Sequence, residues 1–169
     1  MTASDLVLTP RGVWFWGRHV PCSIGSGGIR TDKREGDGAT PQGIHRVVGM
    51  LFRPDRTPRP APWASEIGPC DLWSDDPNDA HYNQMVRAPY GHSHERLRRA
   101  DPLYDLVILT NWNWPNAVPG KGSAIFLHRW RRPRFPTEGC LAFRPDHLRW
   151  IARRVRIGTR VIVKGADRP

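Results

Sequence analysis

The sequence predicts a mainly β fold with one or two short helices, on three observations. Proline and glycine are abundant, at 17 and 16 of 169 residues, and they punctuate the chain at short intervals. Apolar runs such as those at 104–111, 123–130 and 159–163 are short and β-branched or aromatic, as strands are. Helical spacing is sustained in only one place, after Pro145. A chain of this length is one domain, with a single core and no room for two. The eight tryptophans and a charged fraction of 25% exclude a disordered chain.

Residues 5–9 alternate weakly. Val13-Trp14-Phe15-Trp16 and Val20-Pro21-Cys22-Ser23-Ile24 then read as a hairpin turning near Gly17, ended by Gly25, Gly27 and Gly28. The loop from Ile29 to Gly43 carries dense charge of both signs. Its last four residues, Thr40-Pro41-Gln42-Gly43, lead into a strand at 44–48, with Pro41 fixing a turn and Gly43 allowing a close backbone approach. Residues 53–62 hold four prolines and read as an extended connector. Neither flank of it can bury a core alone, so it lies within one domain spanning 1–169. Residues 63–90, rich in Asp, Asn, Pro and Trp, are expected to be a long irregular excursion with a short strand near Met85. Residues 91–97 read as a loop passing into a short helix, with Ser93 as N-cap and Glu95 in the first turn.

The run from Tyr104 to Asn111 is a strand buried on both faces. A second strong strand, 123–130, delivers His128 near its end. After Cys140 the chain is briefly extended. Pro145 then opens a helix whose Leu148, Ile151, Ala152 and Val155 face the core while Arg149, Arg153, Arg154 and Arg156 stay in water. Gly158 ends it, and residues 159–163 form the last strand.

Charge and cysteine usage narrow the function. The formal net charge is +10, and only Lys33, Lys121 and Lys164 of the 26 basic residues are lysines. Such an Arg-dominated surface suits planar contacts with carboxylates or phosphates. Nucleic-acid binding is therefore the rival from another class, but the basic residues are scattered and no helix-turn-helix, zinc-finger or ribonucleoprotein signature occurs, so no nucleic acid is expected as a partner. Cys22, Cys70 and Cys140 are far apart and odd in number, which leaves at least one thiol free. His81, His92 and His94 with Cys70 have the chemistry of zinc ligands but lack a second pair at ligand spacing, so no metal or other cofactor is expected. No Sec signal peptide is readable, and no stretch is long enough to span a membrane.

The stretch 123–143, SAIFLHRWRRPRFPTEGCLAF, holds the chemistry. A thiol, an imidazole and a glycine turn are the parts of a cysteine acyl-transfer site, since a thiolate needs a base and an oxyanion needs open backbone N–H groups. Arg131, Arg132 and Arg134 lie between base and nucleophile, where they are expected to lower the thiol pKa and to bind substrate carboxylates; a solvated basic loop is the competing reading. His94 is expected at the mouth of the substrate groove.

Three motifs in order, Val20-Pro21-Cys22-Ser23-Ile24-Gly25, then Thr40-Pro41-Gln42-Gly43, then His128 followed by Thr137-Glu138-Gly139-Cys140, resemble the YkuD-type L,D-transpeptidase catalytic domain. The resemblance covers roughly residues 13–163 and implies a β-sandwich or barrel-like domain acting on peptidoglycan stem peptides, which contain acidic diaminopimelate. It implies Cys140 as nucleophile, His128 as base, and the N–H groups of Gly139 and Cys140 as oxyanion donors. Substrate contacts would come from Thr137, Glu138, Arg131, Arg132, Arg134, Arg144 and His94. A thioester resolved by an amine gives a cross-link, whereas water makes the enzyme a carboxypeptidase or endopeptidase. The family usually has Arg two residues after the Cys; here that position is Ala142, with Arg144 two further on. GSAIFLH, PTEGCLAF and SHERL together resemble a proteobacterial subgroup linked to L-alanine to diaminopimelate cross-links; the commoner product joins two diaminopimelates. The substrate implies a periplasmic or cell-envelope location, and a monomer is expected.

Overall fold

The structure is a computed structural model and describes residues 2–165. A ten-stranded sheet dominates it. In chain order its strands are β1 (Leu6–Thr9), β2 (Gly12–Phe15), β3 (Arg18–Val20), β4 (Cys22–Ser23), β7 (Gly43–Phe52), β8 (Ser65–Glu66), β12 (Leu106–Thr110), β13 (Phe126–Arg129), β14 (Leu141–Phe143) and β15 (Arg160–Val163). Between these lie β5 (Ile29–Arg30), β6 (Thr40–Pro41), β9 (Asp71–Ser74), β10 (Met85–Arg87), β11 (His94–Arg96) and the helix α1 (Pro145–Ala152).

The sheet runs β3-β2-β1-β15-β7-β12-β13-β14-β4, with β8 beside β7. Its two ends, β3 and β4, are separated in the chain only by Pro21, so the sheet curls almost closed on itself. The β2–β3 hairpin turns at Trp16 and Gly17, both at positive φ (47° and 70°), which is the geometry of a type I′ turn. Pro21 ends pairing with β2, and Cys22 and Ser23 cross over to β14. The expected second hairpin strand is thus split between two neighbours. The strand expected at 44–48 extends to Phe52, and it pairs with β15 along its first half and β12 along its second.

Two apolar clusters form the interior. Leu6, Val13, Phe15, Met50, Phe52, Leu127, Leu141, Phe143, Leu148 and Ile151 belong to the larger, which α1 covers. The smaller contains Leu51, Ile67, Trp73, Leu97, Tyr104, Val107, Phe126 and Cys140. α1 is shorter than the spacing predicts: it ends at Ala152, and Val155 reaches the core from the turn that follows.

The middle of the chain corrects the sequence reading twice. Residues 63–90 are less irregular than expected: β10 is the short strand expected near Met85, but β9 also lies there, and with β11 the two make a separate three-stranded antiparallel sheet. The short helix expected at 93–97 is the strand β11. Five or six polar residues have weak helix preference, and pairing of His94, Glu95 and Arg96 with Ser74, Trp73 and Leu72 overrides it.

Candidate active site

Strand alternation brings the thiol and the imidazole to one face. β13 and β14 are parallel, with Leu127 opposite Leu141 and His128 opposite Ala142. Leu127, Leu141 and Phe143 point into the larger cluster. Phe126, His128 and Cys140 therefore point the other way. His128 and Cys140 line one cavity of about 430 Å³, together with Lys33, Glu35, Asp75, Glu95, Arg99 and Tyr104 among others.

All three sequence motifs converge on the loop before Cys140. Gly25 bridges Thr137, whose N–H donates to the Ile24 carbonyl at 2.9 Å and whose carbonyl accepts from the Ser26 N–H at 2.8 Å. The Thr40 hydroxyl donates to the Gly139 carbonyl at 2.8 Å and accepts the Gly25 N–H at 2.9 Å. The Thr137 hydroxyl donates to the Cys140 carbonyl at 2.6 Å and accepts the Gly139 N–H at 3.1 Å. Gly139 sits at φ +136°, and a Cβ there would lie 2.7 Å from the Ala39 carbonyl oxygen, so only glycine fits. Of the two expected oxyanion donors, the Gly139 N–H is occupied by Thr137. The Cys140 N–H has no hydrogen-bond partner among the described residues.

The thiol donates to the Ala124 carbonyl at 3.1 Å and accepts the Phe126 N–H at 3.3 Å. Ala124 is itself anchored by its N–H to Asn83 Oδ1 at 2.9 Å, and Asn83 also accepts the Trp73 indole N–H at 3.0 Å. The region read as irregular thus supports the floor under the thiol. Burial pushes the Cys140 thiol up to about 12; the Glu95 charge adds to this, and only the Phe126 N–H and Lys33 oppose it. Of the three basic-loop residues Arg131, Arg132 and Arg134, Arg131 lines the same cavity as the thiol.

His128 Nδ1 lies 2.7 Å from the Arg129 carbonyl oxygen. A carbonyl only accepts, so Nδ1 carries the proton and Nε2 keeps its lone pair. This backbone carbonyl fixes the orientation of the imidazole. Burial lowers His128 to about 4, against the opposing pull of that hydrogen bond. The Tyr104 ring meets the imidazole edge-on, with centroids 5.3 Å apart. At neutral pH the couple is therefore a neutral thiol and a neutral imidazole, and no hydrogen bond yet joins them.

The expected substrate contacts divide. Thr137, Glu138 and Arg131 line the cavity. Arg132 stacks over Phe135 at 4.5 Å outside it, Arg134 is an exposed turn residue at φ 59°, and Arg144 pairs with Asp146 at 2.6 Å. His94 is not at the mouth of this cavity: with Arg96 it lines a separate cleft on the far side of β11. Its neighbour Glu95 faces the Cys140 cavity instead, as period-two alternation requires. The sequence reading does not single out Glu95 as a site residue, because only the strand identity of β11 tells which of its residues look inward; Arg99, three residues past β11, joins the same cavity. Among the described residues no three of His, Cys, Asp or Glu gather closely enough to hold a metal ion. No helix there is long and apolar enough to cross a membrane.

A family model described as YkuD, the L,D-transpeptidase catalytic domain, matches residues 9–163, nearly the whole chain. No curated protein and no solved structure matches it.

Proposed function

The chain belongs to the YkuD family of L,D-transpeptidase catalytic domains, and from that premise we propose that it cross-links peptidoglycan stem peptides through a thioester on Cys140. The observation that carries the reading is the placement of Cys140 and His128 on one face of β13 and β14, lining one cavity, with His128 Nε2 left free by the Nδ1 bond to Arg129.

The geometry supports a concerted first step. A thiol held near 12 does not ionise in advance at neutral pH. His128 Nε2 takes the thiol proton as Sγ attacks the donor carbonyl. The Cys140 N–H supplies a donor to the oxyanion, of order 3 kcal/mol if it engages fully. Collapse expels the leaving amine, which receives the proton from His128. An acceptor amine then attacks the thioester, gives a proton to His128, and the C–S bond breaks to return the thiol. Rotation of Sγ away from the Ala124 carbonyl must precede attack, because that bond holds the resting proton.

The cross-link in this reading is L-alanine to diaminopimelate or diaminopimelate to diaminopimelate, and the substrate puts the reaction in the cell envelope. Ala142 stands opposite His128 where the family usually has Arg, and it is fully buried. The guanidinium groups that line the cavity are those of Arg131 and of Arg99, which is paired with Asp101 and lies over the Tyr104 ring at 5.4 Å.

Purified muropeptides incubated with wild type and with Cys140→Ala, with products identified by mass, test the proposal. Cross-linked dimers from wild type and none from Cys140→Ala are expected. Cleaved monomers alone would assign a hydrolase of the same fold, and no change with either protein would end the reading.

A further inference from the structure

A second, smaller cavity, of about 120 Å³, lies between α1, the end of β13 and the loop after β7, with Arg56, Thr57, Asp105, Arg129 and Arg149 among its walls. Strand alternation turns Arg129 to the side of Leu127, which α1 covers, while His128 turns to the thiol. The two cavities are therefore on opposite faces of β13. This one is well below the ~300–1,000 Å³ of pockets for organic molecules, and its size suits a small ion or one terminal group of a larger ligand.

Its walls carry three guanidinium groups and one carboxylate. In the Cys140 cavity carboxylates are in the majority, with Glu35, Asp75, Glu95 and Glu138 set against Lys33, Arg99 and Arg131. Arg56 is already held, donating to Asp105 Oδ1 at 3.0 Å and to the Ala100 and Asp101 carbonyls at 3.0 and 3.2 Å. The side chains of Arg129 and Arg149 have neither a hydrogen bond nor an ion pair among the described residues. With Asp105 set against Arg56, two positive charges remain uncompensated, and their mutual repulsion is relieved only by an anion. Thr57 adds a hydroxyl whose one contact among the described residues is the Pro58 carbonyl at 3.5 Å, the outer limit of a hydrogen bond.

We propose that the cavity between Arg129 and Arg149 binds a phosphate dianion, either the free ion or the terminal group of a phosphomonoester. Two planar forks and a hydroxyl supply donors to several oxygens at once, and the two uncompensated charges equal those of the dianion. A carboxylate offers one charge and two oxygens, and a phosphodiester one charge, so each matches the walls less well. Arg56, fixed by its three hydrogen bonds, keeps its side of the cavity rigid. Arg129 gives its side chain to this site and its carbonyl to His128 Nδ1, so the two sites share a residue but no side chain. The assignment does not rest on the transpeptidase reading.

Chemical-shift titration with sodium phosphate tests the site, at fixed ionic strength and at a pH well above the second phosphate pKa of about 6. Saturable shifts are expected at Arg56, Thr57, Asp105, Arg129 and the first turn of α1. Arg149→Gln, at an exposed helix position, should weaken phosphate about tenfold, and Arg149→Lys should recover part of that loss. Arg153→Gln removes the same charge one turn further on and outside the cavity, so it should leave the affinity within about twofold. Dimethyl phosphate, with one charge, should bind about tenfold more weakly than phosphate. Shifts that never saturate, equal losses from Arg149→Gln and Arg153→Gln, or equal binding of dimethyl phosphate would each overturn the assignment. Sedimentation with phosphatidylcholine vesicles, with and without phosphatidate, distinguishes the source: phosphatidate-dependent binding that Arg149→Gln abolishes assigns a lipid headgroup, and phosphate binding without vesicle binding assigns the small ion.

Discussion

At Cys140 two opposing effects act on the thiol, and burial wins. The Phe126 N–H and Lys33 favour the thiolate, but enclosure and the Glu95 charge hold the group up at about 12. His128, lowered to about 4 by burial, is neutral throughout the working range. The thiolate fraction then rises about tenfold per pH unit below 12. The iodoacetamide alkylation rate of Cys140, followed by peptide mass to separate it from Cys22 and Cys70, should climb steadily from pH 7 to 10. A plateau between pH 6 and 9 would mean a preformed thiolate–imidazolium pair and contradict this electrostatic picture. By the same logic Glu95→Gln should speed alkylation, since it removes a negative charge acting on the thiol, whereas Arg132→Ala should leave the rate unchanged.

At the scale of elements, the loop entering β14 is held by side chains from distant strands. Thr40 is fully buried and joins the Gly139 carbonyl to the Gly25 N–H. Thr40→Val keeps the shape and strands both groups, so it should lower stability by about 1–3 kcal/mol in denaturant unfolding. Thr40→Ser, which keeps the hydroxyl, should recover most of that. Gly139→Ala faces both a strained φ and the 2.7 Å approach to Ala39; a loss of about 3 kcal/mol is expected, and a melting temperature equal to wild type would show that the loop relaxes freely. β11 teaches the converse about local sequence. Ser93-His94-Glu95 has the marks of a helix start, yet the chain is a strand there because β9 offers a pairing edge. That difference decides which cavity each side chain lines, for a strand turns Glu95 to the cavity of the thiol and His94 to the opposite cleft.

Across the whole molecule, the first and last strands are parallel neighbours, with Leu6 opposite Val161 and Leu8 opposite Val163. Their junction is tied by Arg160, which donates two hydrogen bonds to the buried Asp5 carboxylate at 2.9 and 2.6 Å. The Arg160 partnership holds the Asp5 carboxyl down at about 2, below its ordinary 3.8. The unfolded chain therefore binds the proton first, and stability is fully present above about pH 4 and is lost as pH falls toward 2. Asp5→Asn should cost about 2 kcal/mol at pH 7 and flatten that part of the acid-unfolding curve. An unchanged acid profile would show that this ion pair does not hold the sheet's seam.

What the sequence by itself determined was the chemistry and its local frame. A glycine before the cysteine, a histidine late in an alternating apolar strand, and the Thr-Pro-Gln-Gly turn are local patterns, fixed by backbone freedom and by period-two burial. The β13 and β14 strands and the start of α1 follow from the same short-range rules. The tertiary structure decided what surrounds that chemistry. Which hydroxyl meets the Gly139 carbonyl, and that Asp75 and Glu95 line the cavity of the thiol, depend on segments brought together from about 45 to 100 residues apart, and no local periodicity encodes such pairings. The same is true of the thiol's protonation: a basic loop adjacent in sequence suggests a lowered pKa, but burial acts through space, and in this fold the arginines beside the site in sequence lie mostly outside its cavity.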